Sequence, residues 1–262
     1  MFYFLFYRLL LAHMLGEFPL QTSKISQFKQ RNFWGIIFHS VIYTLIILIF
    51  CLPCIAGFWP YILIIGITHI LIEQARVSAI RYLKKDNLWT FLAKQILHIV
   101  IIYGTLLIGN VKNYSPLAPY NLPETITLSF ESFGRLFLYT YYDDKTIIYY
   151  TGFCFSIFVT SFIIYYLEKL ILPREEQLLI GSYRELIGFI ERGMITAFAI
   201  KGWGLYIIIY TIIRFLICVI LKLFINQELP WRLLIWDTIL NITLATIYGF
   251  LINYWIKIIS PA

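Results

Sequence analysis

Long runs of apolar residues that carry almost no charge restrict this chain to one broad class of fold. The clearest runs are residues 36–50, 147–167 and 233–255. Such runs are typical of helices that cross a bilayer, which need about 20 apolar residues. Only 13% of the 262 residues are charged and 60% are hydrophobic, whereas soluble domains carry about 25% charged residues. The composition therefore excludes a water-soluble globular enzyme and a disordered chain.

The same runs predict an all-α fold. Strands of a transmembrane β-barrel alternate apolar and polar residues, and these runs do not, so we expect a polytopic transmembrane helical bundle. About eight spans are predicted, at approximately residues 2–18, 33–52, 58–72, 92–109, 146–167, 182–200, 205–223 and 233–256. The chain starts without a basic n-region or a small-residue cleavage site, so the first span is expected to be a retained helix rather than a signal peptide.

Lysine and arginine residues are unevenly distributed between the two sides of the predicted bundle. Connections 19–32, 73–91, 168–181 and 224–232 with their flanks carry twelve, and the other side carries five. Because positively charged loops stay in the cytoplasm, we predict that both termini are extracytoplasmic. The basic residues form no clustered stripe, so membrane lipids are expected partners and nucleic acid is not.

The connections divide the predicted bundle into two halves. Residues 1–110 form a four-helix half, 111–145 an outer loop, and 146–262 a second four-helix half. Three prolines between positions 116 and 123 prevent a continuous helix in the loop. Aromatic residues at helical spacing predict an interfacial helix over 130–141.

Histidines mark a candidate site in the first half. The four histidines lie near the cytoplasmic ends of four different predicted helices, and they are His13, His39, His69 and His98. Glu17 and Glu73 each follow a histidine by four residues, and Gln95 precedes one by three, so each pair shares a helix face. Imidazole and carboxylate groups converging in a bundle core suit Zn, Mn or Fe.

Each residue of the cluster takes a role in this metal hypothesis. The primary ligands would be His13, Glu17, His69 and Glu73, while His39 and His98 would bind the metal or support its ligands. Glu17 would also act as general base, and Gln21 and Gln95 would orient water or substrate. The alternative interpretation is structural, because histidines and glutamates near helix ends also pair with carbonyls and lysines. Haem is a less favoured cofactor, since facing histidines can ligate it but no Cys-x-x-Cys-His motif is present.

A second set of charges lies within the predicted spans of the second half. Glu191 and Arg192 fall in the sixth span and Arg214 in the seventh. Buried charges in a bilayer are costly and are expected to pair. A Glu191–Arg214 pair would offset this cost, and it either fixes two helices or belongs to an ion or substrate path. Asp237 and Asn241 are placed to extend it.

The polar pattern of the first half resembles a family of bacterial integral membrane proteins, domain-of-unknown-function family 3307. The resemblance rests on LLAHMLGEFPLQ at 10–21, His39, THILIE at 68–73 and KQILH at 94–98. ELIGFIERGMI at 185–195 is similar to a segment of its longer members. The family usually has aspartate where this chain has Glu17, Glu73 and Lys94, so the last change removes a carboxylate. The resemblance implies a bacterial cytoplasmic-membrane protein with the same fold and site, and no established activity.

Three functions remain open from the sequence. The leading hypothesis is a metal-dependent hydrolase that acts on a lipid-linked or membrane-proximal substrate at the cytoplasmic face. The alternatives are an ion or small-solute transporter or channel that uses the same polar residues, and a non-catalytic subunit of a membrane complex. Cys51 and Cys54 form a Cys-x-x-Cys pair that is either redox-active or part of the packing, and no thioredoxin-like pattern accompanies it.

Overall fold

A computed structural model describes residues 2–52, 55–83, 86–109, 140–171, 182–220, 223 and 231–259. Nearly all of these residues are helical and none of them forms a strand, in agreement with the predicted all-α class. The chain divides into two compact units, Met1–Thr151 and Gly152–Ala262. The interfacial helix predicted over 130–141 and the partner cysteine Cys54 lie outside the described residues, apart from the last two positions of that helix.

The first unit contains five helices before the long connection. They are α1 (Phe2–Glu17), α2 (Ser23–Arg31), α3 (Phe33–Cys51), α4 (Ile55–Leu83) and α5 (Leu88–Ile108). The later part of the chain forms α6 (Asp144–Cys154), a π-helical segment (Phe155–Val159), α7 (Thr160–Ile171), α8 (Ser182–Ile200), α9 (Gly204–Ile220) and α10 (Trp231–Ile259).

Five stretches of the described residues are long and apolar enough to cross a membrane. They are Phe33–Cys51, Gly57–Leu83, Leu88–Ile108, Asp144–Lys169 and Ile235–Ile258. The protein is therefore a membrane protein. The count of eight spans and the orientation of the termini stay predictions, since α1 has 16 residues and a span needs about 20.

Asparagine and threonine side chains set where the helices of the first unit begin. Asn32 ends α2 through its backbone N–H and begins α3 by accepting a hydrogen bond from the Trp34 N–H at 3.0 Å. Asn87 accepts from the Thr90 N–H at 2.9 Å at the start of α5. Such side chains satisfy backbone donors that the first helical turn leaves unpaired.

Two parts of the first unit differ from the sequence expectation. Residues 19–32 were expected to be a simple connection, but they contain α2, whose start is capped by Thr22. The third predicted span ended at 72, whereas α4 continues to Leu83. Hydrophobicity marks only the part of a helix that lies in the bilayer, while the backbone hydrogen bonds continue the helix beyond it.

The core of the first unit is formed by α1, α3, α4 and α5. Its fully buried residues recur at helical spacing on each helix, and they include Leu5, Leu9, Ala12, Tyr43, Ile47, Phe58, Ile62, Ile65, Ile102 and Leu106. The spacing of three and four residues places one face of each helix against the others. The candidate site lies on the same buried faces, because its residues continue this spacing.

A buried arginine joins α1 to the start of α6. Arg8 has none of its surface exposed, and its Nη1 donates to Asp144 Oδ1 at 2.5 Å and to the Phe4 carbonyl at 2.8 Å. Its Nη2 donates to the Tyr141 carbonyl. The guanidinium can be buried here because its N–H groups find a carboxylate and two carbonyls.

Candidate functional site in the first unit

The four histidines face a common interior. His13 lies on α1, His39 on α3, His69 on α4 and His98 on α5, and each is at most 3% exposed. Ligand atoms of Glu17, His39, His69 and Glu73 all lie within 4.8 Å of one another. The structure thus gathers a compact His/Glu cluster from α1, α3 and α4, with His98 of α5 beside it.

One oxygen of Glu17 is the centre of this cluster. Glu17 Oε1 lies 3.3 Å from His39 Nε2 and 3.4 Å from His69 Nε2. His98 Nε2 is 3.9 Å from the same oxygen. Three imidazoles from three helices therefore approach a single carboxylate oxygen.

Two buried lysines neutralise the carboxylates. Lys94 Nζ contacts both Glu17 Oε2 and Glu73 Oε1, and Lys29 Nζ donates to Glu73 Oε2 at 2.8 Å. Lys29 also donates to Gln21 Oε1 at 2.6 Å. Burial lowers the pKa of Lys29, which lies on α2, to about 8, and the positive charge of Lys94 acts in the same direction.

His13 and Tyr43 form the side of the cluster nearest the apolar core. His13 Nε2 hydrogen-bonds Gln95 Oε1 at 2.9 Å, and His13 Nδ1 hydrogen-bonds the Tyr43 hydroxyl at 3.2 Å. The Tyr43 ring stacks on His69 with the ring centroids 3.8 Å apart. Both nitrogens of His13 are therefore engaged, and Tyr43 fixes the plane of the His69 ring.

Several buried polar atoms of the cluster have no hydrogen-bond partner among the described residues. They are both ring nitrogens of His69, Nε2 of His98 and Oγ of Ser40, which follows His39 on α3. An unpaired buried polar group costs about 1–3 kcal/mol, so such atoms call for a ligand. His69 and His98 place these Nε2 atoms 3.4 and 3.9 Å from Glu17 Oε1, and the group of Glu17, His39, His69 and Glu73 could hold a metal ion.

Glycines on two helices hold the cluster together. A Cβ at Gly35 of α3 would lie 2.5 Å from the backbone of Phe28 and Lys29, so only glycine lets α2 approach closely enough for Lys29 to reach Glu73. A Cβ at Gly16 of α1 would lie 2.8 Å from Cδ2 of Tyr43. Both positions permit close helix contacts that larger side chains would prevent.

The predicted residues divide into those at the centre and those that support it. Glu17, His39, His69 and Glu73 form the compact group. His98 lies at its edge, and His13 is turned toward Gln95 and Tyr43. Gln21 and Gln95 accept hydrogen bonds from Lys29 and His13 respectively. Both oxygens of Glu17 are engaged, so its predicted use as a general base requires a partner to leave.

The sequence does not place Tyr43 in the site, and it offers Lys29 only as one of three basic residues that could pair with the glutamates. Tyr43 follows His39 by four residues and shares its helix face, so this spacing could have identified it. Lys29 was grouped with a basic loop, because nothing local distinguishes a buried lysine from an exposed one. Lys94 was noted only as a departure from the family pattern, yet it touches both carboxylates.

The second unit contains a separate polar network. Arg214 Nε lies 3.0 Å from Glu191 Oε1, and Arg214 Nη2 lies 3.0 Å from Asp237 Oδ2. Asn241 Nδ2 donates to Asp237 Oδ1 at 2.8 Å and contacts Arg192 through its Oδ1. Arg192 Nη2 also donates to the Ile157 carbonyl of the π-helical segment at 2.9 Å. Two cations and two anions balance here, as expected for a network that holds helices together.

The cysteines add no site among the described residues. Cys51 is buried at the end of α3. A redox role for the pair with Cys54 stays a prediction.

The comparisons with known proteins concern the same half of the chain. The family model described as a protein of unknown function (DUF3307) matches residues 5–120. No curated protein and no solved structure matches the chain. The matched segment contains every residue of the His/Glu cluster.

Proposed function

Because residues 5–120 of this chain belong to the family of unknown function DUF3307, we propose that the function lies in the His/Glu cluster of that segment. We propose that the cluster binds one divalent metal ion and that the protein is a metal-dependent hydrolase of a membrane lipid. The observation that carries the proposal is the approach of three imidazole nitrogens to Glu17 Oε1 at 3.3, 3.4 and 3.9 Å.

These distances suit a metal site. Ligand atoms at about 2.0–2.1 Å from a tetrahedral zinc ion lie about 3.3 Å apart. The separations of His39 and His69 from Glu17 Oε1 match that spacing. A hydrogen bond accounts for His39 but not for His69, whose Nε2 has no hydrogen-bond partner. When bound, a divalent ion supplies Lewis-acid chemistry, polarising a phosphoryl oxygen and acidifying bound water.

A lipid substrate is supported by the surroundings of the cluster. A groove of about 320 Å³ with apolar walls lies between α3 and α4, which belong to two candidate membrane spans. Ser40 and Ile70 line it, and each directly follows a histidine of the cluster. A groove on this surface faces acyl chains, so we assign it to the acyl chain of the substrate.

Positive charges favour a phosphate-bearing lipid. Lys24, Arg31 and Arg81 are exposed on α2 and on the last turn of α4. Arg81 donates to the Gln30 carbonyl at 2.8 Å, which holds it against α2. Basic residues at a membrane surface attract anionic headgroups. We therefore propose a phosphoester as the bond that is hydrolysed, at the side that the charge distribution assigns to the cytoplasm.

Metal analysis of the purified protein tests whether the His/Glu cluster binds a metal ion. After a chelator rinse and reloading with Zn²⁺ or Mn²⁺, we expect about one tightly bound ion per chain. We expect His69→Ala to weaken metal binding by at least tenfold, because it removes a buried ligand with no other partner. His13→Ala is the matched control, since both His13 nitrogens are already hydrogen-bonded. Wild-type protein that takes up neither ion would refute the proposal.

Hydrolysis in vesicles tests the substrate. Metal-loaded protein in vesicles that contain phosphatidic acid should release phosphate, and soluble glycerol phosphate should react far more slowly. Leu63→Trp fills the groove and should raise KM several-fold without changing metal content. Leu97→Trp is its control, because Leu97 is similarly exposed, at 50% against 51%, but lies on α5 outside the groove. Bound metal without hydrolysis, together with metal uptake into the vesicles, would identify a transporter instead.

A further inference from the structure

We propose that the cluster is built for two cations and that the ammonium of Lys94 occupies the second position. This inference rests on the proposed metal centre. Lys94 Nζ lies between Glu17 Oε2 and Glu73 Oε1, so it takes one oxygen from each of two carboxylates on different helices. Its side chain is 2% exposed, and the two carboxylates are no more exposed.

Glu17 divides its two oxygens between two positions. Its Oε1 faces the imidazoles, where we place the metal ion, while its Oε2 contacts Lys94. A carboxylate shared in this way is the usual bridge between two ions about 3.5–4 Å apart. The cluster therefore has the layout of a two-metal site in which an ammonium group replaces one ion.

The second lysine is not equivalent to Lys94. Lys29 Nζ contacts Glu73 Oε2 and Gln21, and no contact joins it to Glu17. It contacts the other oxygen of Glu73, Oε2, and does not bridge the carboxylates. Lys29 thus supports Glu73, whereas Lys94 fills the position between the two glutamates.

Charge explains why Lys94 limits the site to one ion. Lys94 places its positive charge between Glu17 and Glu73, at the position of the second ion. A second divalent ion beside Lys94 would meet a like charge at close range in a buried site, where repulsion is weakly screened. Replacing Lys94 with aspartate exchanges that positive charge for a negative one. The aspartate oxygen ends two bonds nearer the backbone, which leaves space for an ion.

Metal stoichiometry tests this inference. We expect Lys94→Asp to bind about two Mn²⁺ ions per chain where the wild type binds about one. Spin coupling between the ions, seen by electron paramagnetic resonance, should accompany the second ion. Lys29→Met is the matched control and should keep one ion, because Lys94 remains in place. Lys94→Glu is the second variant if the aspartate form does not fold.

The outcomes separate this inference from the proposed function. One ion in both the wild type and the folded Lys94 variants would overturn the inference and leave the metal centre intact. No ion in the wild type and none in the variants would overturn the proposed function. Two uncoupled ions in Lys94→Asp would also count against the inference, because a bridging Glu17 requires the ions to be neighbours.

Discussion

Replacing Glu17 with glutamine is expected to destabilise the first unit by about 3–5 kcal/mol. The substitution leaves the ammonium groups of Lys94 and Lys29 with one carboxylate, that of Glu73, and an unbalanced buried charge is strongly unfavourable. The same substitution replaces the carboxylate that three imidazoles approach with a neutral amide, which is a poorer metal ligand, so metal binding should weaken by at least a hundredfold. Thermal unfolding in lipid nanodiscs with a chelator present would measure the first effect, as a fall in Tm on the order of 10 °C.

A second substitution shows whether the loss of stability in Glu17→Gln comes from the lost ion pair or from disturbed packing. If the loss comes from the excess buried ammonium, Glu17→Gln combined with Lys94→Met should recover most of the stability, because Lys29 and Glu73 then balance each other. The double variant should still lack metal. Equal stability of the wild type and the single variant would show that the Glu17–Lys94 pair contributes nothing to folding.

Replacing Arg214 with methionine is expected to destabilise the second unit by a similar amount, about 3–5 kcal/mol. Arg214 is 3.0 Å from both Glu191 and Asp237, so its loss leaves two buried carboxylates without that charge partner. Chemical unfolding in detergent would measure the change. Arg81→Met is the matched control, since Arg81 is exposed and its loss should shift stability by no more than about 0.5 kcal/mol.

A compensating substitution tests the explanation of the Arg214 effect. Neutralising one carboxylate in the same chain, with Glu191→Gln, should restore much of the lost stability, because one cation and one anion then remain in the network. If Arg214→Met instead unfolds no more easily than Arg81→Met, the network does not hold these helices. An ion path through Glu191 and Arg214, the alternative from the sequence, would then regain support.

The sequence predicts the Glu191–Arg214 pair, and the structure contains it. The sequence does not predict that Lys94 meets Glu17, nor which groups Arg192 contacts. The structure pairs Arg214 with Glu191 and Asp237, and turns Arg192 toward Asn241 and the carbonyl of Ile157. Arg192 and Arg214 carry the same charge, and they have different partners because different helices pack around them.

The amino-acid sequence by itself determined the helices and the faces that meet in the core. The predicted helix at 182–200 matches α8, and the one at 33–52 differs from α3 by a single residue. Helical hydrogen bonds join residues that are four apart, and the spacing of apolar residues can be read directly from the sequence. The His-x-x-x-Glu spacing in α4 likewise placed His69 and Glu73 on one face, because it depends only on helix geometry.

Only the tertiary structure decided which of these residues meet. Glu17 lies at the centre of the cluster. His13 hydrogen-bonds Gln95 and Tyr43. Lys29 is buried and reaches Glu73 because α2 packs closely against Gly35. These outcomes depend on contacts between residues distant in the chain, such as the pair Lys94–Glu17. Helix geometry fixes the direction of a side chain, but the packing of neighbouring helices fixes what that side chain touches.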